Sequence, residues 1–306
     1  MKKKILIFLI SFMILFTSGC TKILKDNNNK VVTNKTTGQN LVSNILCQPE
    51  NKETRKLYED NNIDLNKLEK CKDMSITAGE YEGIWTTVFV KPLAWLIVKI
   101  GNFLGNYGVS VIIVTILIRL LMYPFTKKAA MQSENLKKAK PELDNIEKKY
   151  KDKLSKEDNI LKSQDMLMIY KKYNINPMSG CLFGIIQIPL FFAFYESLNR
   201  LPAIFEESLL GFQLGTTPLI ALSKGNYLYL IFVVLVIVAT YFSFKLSSAD
   251  MANANQGNQM KMMTRMSTIF ISIMSFSIST GIALYWIFNS SFTIFQNLVV
   301  KRRKNK

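Results

Sequence analysis

Histidine is absent from the 306 residues. Its absence excludes imidazole triads, imidazole proton shuttles and His-ligated metal sites. The four cysteines, at 20, 47, 71 and 181, include no CxxC pair, which argues against a zinc-finger or thioredoxin-type centre. A GxxxxGK motif followed by Ser or Thr is missing too, so no phosphate-cradling nucleotide loop is expected. No nucleophile or metal constellation stands out, and the expectation is a protein that is not an enzyme and carries no catalytic residue, metal or cofactor. Charge is also scarce over several stretches of bilayer length. Hydrophobic residues make up 49% of the chain and the net charge is +17, but both are localised, the basic residues beside the apolar runs. This distribution predicts an all-α polytopic membrane protein.

The N-terminus reads as a secretory signal. Met1-Lys2-Lys3-Lys4 is basic, residues 5–16 are apolar, and Thr17-Ser18-Gly19 places small residues before Cys20. The apolar run is short for a membrane anchor. The pattern resembles a bacterial lipobox, which implies a signal peptide over 1–19, lipidation of Cys20 (a palmitate-type anchor) and an N-terminus outside the cell. The rival reading is an uncleaved anchor. Residues 20–83 are expected to be extracytoplasmic, exposed and poorly packed, because the Asn-, Lys- and Thr-rich stretch from Asp26 to Asn40 offers little apolar surface to bury. A short helix is expected within 53–74, around Leu57, Leu65 and Leu68. An oxidising exterior also permits a Cys47–Cys71 disulfide.

Residues 84–104 are apolar but interrupted by Lys91, Pro92 and Lys99. Thr87, Lys91, Val98, Lys99 and Asn102 lie roughly along one helical face, as in an interfacial amphipathic helix. Five longer runs follow, at about 107–125, 178–198, 226–244, 266–281 and 282–300. The loop 126–177 holds 13 lysines, 245–265 holds Lys245, Lys261 and Arg265, and 301–306 holds five basic residues, whereas 199–225 holds only Arg200 and Lys224. Five spans with the N-terminus outside place every strongly basic segment in the cytoplasm, as the positive-inside rule requires. A sixth span at 84–104 would export the lysine-rich loop, so that segment is read as interfacial.

The loop 126–177 carries two stripes at helical spacing, Leu136, Leu143, Ile146 and Tyr150, then Ile160, Leu167, Tyr170 and Tyr173. Ser155 with Asp158 looks like the start of a second helix, and Asn176-Pro177 its end. The pattern predicts a basic helical hairpin in the cytoplasm.

Arg119 is the anomaly. No other charged residue lies between Lys99 and Lys127. An arginine inside a span costs at least about 2.5–3.5 kcal/mol, which favours a protein- or water-facing position. If the span runs to 125, Arg119 lies roughly 9 Å from its inner end, within reach of the headgroups by snorkelling. Thr115, Arg119, Tyr123 and Thr126 recur on one face. Trp286, Asn289, Thr293 and Gln296 form a stripe on the fifth span, Thr268, Ser272, Ser275 and Ser279 one on the fourth, and Gln187 stands just before Pro189 on the second. Any one stripe could be interhelical glue. Several together with an arginine suggest a shared hydrated cavity. Glu196, near the outer end of the second span, is the sole acidic residue within a span, so the cavity reads as cationic and suited to a transient anionic guest.

Ile118-Arg119 followed by Pro124, the stretch Tyr170-Lys-Lys-Tyr-Asn-Ile-Asn176-Pro177-Met-Ser-Gly180-Cys181-Leu182, Gln187-Ile188-Pro189, and Gly281-Ile-Ala-Leu284-Tyr285-Trp286-Ile-Phe-Asn289 with Gln296 together resemble the YidC/Oxa family of membrane protein insertases, in its five-span bacterial lipoprotein branch. The resemblance covers roughly 84–303. Phe183 stands where the family pattern has proline, and Thr280-Gly281 where Pro-Ala-Gly is usual. The resemblance implies a chaperone-like insertase with a hydrophilic groove open to cytoplasm and lipid. Arg119 would be its arginine, and Thr115, Gln187, Trp286, Asn289 and Gln296 its lining. Implied partners are nascent membrane proteins, the ribosome through the basic tail, the Sec translocon and membrane lipids, but not DNA. Attraction of the tail to anionic lipid, or topology alone, is an equal reading of those charges. A small-anion channel or transporter is the alternative use of the same cavity. The implied location is the bacterial cell membrane, multi-pass, with the C-terminus cytoplasmic. A reporter fused at residue 150 is expected on the cytoplasmic side; an extracellular signal there would overturn this topology.

Overall fold

The computed structural model describes residues 21–152, 155–176, 179–248 and 254–304. The signal segment and Cys20 lie outside the described residues. In chain order the elements are α1 (Lys52–Glu59), a π-helical turn Thr86–Val90 running into α2 (Lys91–Leu104), α3 (Tyr107–Leu121), α4 (Tyr123–Lys149), α5 (Lys156–Lys172), α6 (Ser179–Arg200), α7 (Pro202–Phe205), the strands β1 (Ser208–Leu209) and β2 (Phe212–Gln213), α8 (Pro218–Ser223), α9 (Leu230–Ser248), α10 (Ala254–Met274) and α11 (Thr280–Lys304). The two strands pair antiparallel, Ser208 with Gln213 and Leu209 with Phe212. The chain is therefore predominantly helical. Among the described residues Thr86–Leu104 and Tyr227–Ser247 are single helices long and apolar enough to cross a membrane, and the bent pair α3–α4 makes a third candidate. The chain divides into two compact units, 1–115 with 188–233 and 276–286, and 116–187 with 234–275 and 287–306.

In the first unit, residues 21–83 are better packed than expected. Leu24, Val32, Leu41, Val42, Ile45, Tyr58 and Leu65 are buried together with Phe205. The Asn-rich stretch holds this small core because its polar side chains build turns. Asp26 accepts from the amides of Asn28 and Lys30. Asn34 accepts from those of Thr36 and Thr37. Between the turns, Leu24, Val32 and Leu41 exchange backbone hydrogen bonds of 2.8–2.9 Å. Short polar side chains that satisfy neighbouring amides favour turns as readily as disorder. In place of one helix over 53–74 there is α1, capped by Asn51, and two short 3₁₀ turns at Leu65–Lys67 and Cys71–Asp73. Cys47 and Cys71 are joined as a disulfide, their Cα atoms 4.8 Å apart.

A charged cluster ties this segment to the end of α6. Arg200, wholly buried, donates through Nε to the Asn44 carbonyl at 2.6 Å and through its terminal nitrogen to Glu82 at 2.6 Å. Glu196 lies 3.9 Å from the same guanidinium and accepts from Trp85 Nε1 at 2.9 Å. The polar face expected for 84–104 is split. Thr87, Lys99 and Asn102 are exposed, but Lys91 and Val98 are buried. Lys91 turns inward because the carbonyls of Glu80 and Gly79 accept from its ammonium at 2.8 and 3.4 Å. At the end of α2, Gly105 takes a left-handed conformation, φ 69°, the usual glycine helix stop.

In the second unit, the run expected as one helix over 107–125 breaks at Met122, and the axes of α3 and α4 turn by 68°. Pro124, in the first turn of α4, has no N–H to lose there and disfavours continuous helix before it. The amides of Phe125 and Thr126 both turn to the Met122 carbonyl at 3.1 Å. α4 and α5 pair with opposite chain directions, and the contacts are more polar than the apolar stripes suggested. Lys172 and Tyr173 meet Glu142 at 2.7 and 2.6 Å, Lys149 and Tyr150 meet Asp165 at 2.9 and 3.0 Å, and Lys162 lies 3.9 Å from Glu147. Leu143 and Tyr150 are buried, whereas Ile160 and Leu167 are exposed. Ser155 caps α5 by accepting from the Asp158 amide at 3.0 Å, and its hydroxyl donates to the Asp158 carboxylate at 2.7 Å.

Hydrogen bonds from Lys172 and Tyr173 hold the Glu142 carboxyl below its ordinary pKa, and those from Lys149 and Tyr150 do the same for Asp165. A carboxylate depressed in the folded state stabilises above its unfolded pKa, roughly 4, and that contribution is lost as pH falls through the folded value. The α4–α5 pair is therefore expected to hold at neutral pH and to loosen well below pH 4. A spin-label distance between the two helices, followed through an acid titration, checks this; a distance insensitive to pH would contradict it.

Candidate functional site

The second unit gathers several of the residues singled out above. Arg119 occupies the last turn of α3, where the partial negative charge of a helix C-terminus favours a cation. The helix ends at Leu121, so the 9 Å of further helix inferred from an uninterrupted span does not exist. The guanidinium is 2% exposed. Its Nε donates to Asn289 Oδ1 at 2.6 Å and a terminal nitrogen to Gln187 Oε1 at 2.7 Å. Three helices, α3, α6 and α11, thus supply one donor and two acceptors. Pro189 lies inside α6, two residues beyond Gln187, and frees a helical carbonyl four residues before it.

The polar stripe of α11 continues from Asn289. Thr293 is buried and its hydroxyl donates to the Asn289 carbonyl at 3.1 Å. Gln296 is buried and its Oε1 accepts from the Thr126 hydroxyl of α4 at 3.0 Å. Asn297, one residue on and absent from the sequence reading, donates to the Ser247 hydroxyl of α9 at 3.2 Å. Ser133 of α4 donates to the Ser247 carbonyl at 2.9 Å. Asn297 was recoverable from its position four residues after Thr293 on the same face; Ser133 and Ser247 carried no signal beyond being polar.

Thr115 and Trp286, expected beside Arg119, belong to the first unit. Thr115 is buried and its hydroxyl turns back to the Val111 carbonyl of its own helix at 2.7 Å. Trp286 meets the edge of Phe191 with ring centroids 5.2 Å apart. Of the serine stripe expected on the fourth span, Ser272 and Ser275 satisfy themselves on carbonyls of their own helix turn, at 2.7 and 2.6 Å.

The arrangement does no covalent chemistry. The amide oxygens of Asn289 and Gln187 accept from its buried cation.

These features define a helical membrane protein with a buried arginine in a polar cluster. The family model described as the 60Kd inner membrane protein matches residues 99–306. The chain is 34% identical over 226 residues to the membrane protein insertase YidC of Oceanobacillus iheyensis, spanning 72% of this chain and 85% of that protein. It is also 34% identical over 218 residues to the insertase MisCA of Bacillus subtilis, 71% and 79% of the two chains, and 32% identical over 229 residues to YidC 2 of Listeria innocua, 73% and 75%. The chain belongs to the 60Kd inner membrane protein family, the YidC/Oxa group, whose members are membrane insertases rather than enzymes.

Side chains joined this closely do not act independently. A double-mutant cycle on Arg119→Leu and Asn289→Leu, read by thermal unfolding in detergent, is expected to give a coupling of about 0.5–3 kcal/mol. Additive effects would mean that the two side chains do not meet.

Proposed function

We propose that this protein inserts nascent membrane proteins into the bacterial cell membrane and helps them fold, using Arg119 to attract acidic residues of the incoming chain. The observation that carries the reading is the nearly buried guanidinium held by Asn289 and Gln187 in a chain of the insertase family. A hydrophobic segment enters lipid readily, but its polar flank must cross the core. A hydrophilic groove in the cytoplasmic half of the membrane shortens the apolar distance that flank traverses. Neutral amides keep Arg119 in place between substrates. An acidic side chain of the substrate displaces them, since a carboxylate adds opposite charge and bidentate geometry to the hydrogen bonds. Hydrophobic transfer of the apolar segment and the membrane potential drive the rest, so no nucleotide site is required.

In this reading Gln187, Asn289 and Gln296 line the groove, and Thr115 and Trp286 join them on helical spacing and the family resemblance. The α4–α5 pair is the cytoplasmic hairpin that receives substrate. Five spans run from an outer, Cys20-lipidated N-terminus to the basic C-terminal tail, with 84–104 lying in the outer interface. Lys301 and Arg302 with the residues after them are suited to anionic ribosomal RNA, and cooperation with the Sec translocon fits the same topology.

Arg119→Ala is expected to reduce insertion of substrates whose translocated tails carry acidic residues, while sparing substrates with neutral tails. Arg119→Lys, which keeps charge but loses the planar fork, should restore part of the loss. Insertion is scored by protease protection of the tail in proteoliposomes, with retained disulfide and monodisperse elution as the check on folding. Undiminished insertion of acidic tails by a folded Arg119→Ala protein would remove the electrostatic role.

A further inference from the structure

The β1–β2 hairpin turns through Leu210 and Gly211, both at positive φ, 51° and 83°. Positive φ at both central residues is the two-residue hairpin turn that normally takes Asn-Gly. A leucine there is strained by its Cβ, and this one is 89% exposed. Facing water, it would gain no burial to offset either disadvantage.

The flanks of the turn show where its tip lies. Leu209 sits against the start of α3, so closely that a side chain at Gly108 would meet its Cβ at 3.0 Å. Asn106 donates to the Ser208 carbonyl at 3.2 Å, and the Tyr107 amide donates to the Glu207 carboxylate at 3.2 Å. On the other strand, Phe212 packs edge-on against Tyr229 and Phe232, with centroids 5.2 and 4.9 Å away, and the Gln213 amide donates to the Tyr229 hydroxyl at 2.7 Å. The hairpin is therefore fastened to the first turns of two apolar helices, where the chain enters the membrane. Of its two nearby carboxylates, Glu207 is turned back onto the amides of Tyr107 and Ser208 and Glu206 accepts from those of Glu50 and Asn51, and no charged residue follows until Lys224. Exposed apolar side chains continue from the same helix ends, Phe103 and Leu104 at the end of α2 and Tyr227 and Leu228 before α9. Aromatic and aliphatic residues at that level are the usual partners of the lipid interface.

We infer that the β1–β2 hairpin is a lipid anchor, with Leu210 inserted among the upper acyl chains of the leaflet that borders the extracytoplasmic segment. The inference rests on the membrane location of the chain and not on insertase activity, so loss of insertion in Arg119→Ala and failure of the anchor are separate results.

The test uses the full chain with Cys20→Ala and Cys181→Ser, leaving the Cys47–Cys71 disulfide intact, and an NBD fluorophore on Leu210→Cys. Asn28→Cys, in the exposed turn after Leu24, is the aqueous control, and Phe103→Cys is a second probe that leaves the hairpin unaltered. The proteins are reconstituted at low density in vesicles of phosphatidylcholine and phosphatidylglycerol. At positions 210 and 103, lipids bearing a nitroxide near the top of the acyl chain should quench several-fold more than at position 28, and iodide several-fold less. Iodide quenching at 210 equal to that at 28 would overturn the proposal, as would shielding from both quenchers, which would place the tip against protein. If 103 is lipid-quenched and 210 is not, the hairpin is no anchor.

Discussion

A guanidinium withdrawn from water must be solvated by the protein, and Arg119 meets that need with side chains from two other helices. Arg119 has too many donors for one partner. It draws Asn289 from α11 and Gln187 from α6, and so fixes the rotation of both helices about their axes. The rest of the α11 stripe follows from that rotation: once Asn289 faces Arg119, Gln296 faces Thr126 and Asn297 faces Ser247. Amides are well chosen for this task. A carboxylate would neutralise the cation and compete with any acidic guest, whereas a purely apolar wall would leave its donors unsatisfied at a cost of several kcal/mol by the general accounting for buried polar groups.

Much of this was legible in the residues. Helical periodicity and the concentration of charge beside apolar runs pointed to an all-α membrane chain, and the stripe on α11 together with Gln187 identified both acceptors that meet Arg119. The misreadings share a cause. Sequence periodicity assumes that a helix continues and that polar side chains seek water. Pro124 ended α3 early, and Lys91 found backbone carbonyls instead of solvent. Over 21–83 the same Asn and Asp residues that mimic disorder satisfied their own turns, and a core closed between them. Apolar stripes were the ground for expecting a helical hairpin over 126–177, yet Ile160 and Leu167 stay exposed and ion pairs share the α4–α5 contact with Leu143 and Tyr150. No local pattern could have shown that Glu142 lies opposite Lys172.

The two buried arginines, Arg119 and Arg200, have different kinds of acceptor. In the second unit, Arg119 donates to the neutral amide oxygens of Asn289 and Gln187. In the first, Arg200 is met by Glu82 and Glu196, and the cluster is self-compensating. Removing one partner from a buried ion pair leaves the other uncompensated, so such a cluster suits a fixed joint.

The core of residues 21–68 includes Phe205, and Leu46 and Asn44 bond the backbone and side chain of Arg200. The N-terminal segment therefore lacks part of its own interior until translation has passed residue 205 and two long apolar stretches have gone by. It must wait, unfinished, for a later piece of the same polypeptide to arrive. Completion of this small core thus records that the chain as far as Phe205 has been made and brought back to it.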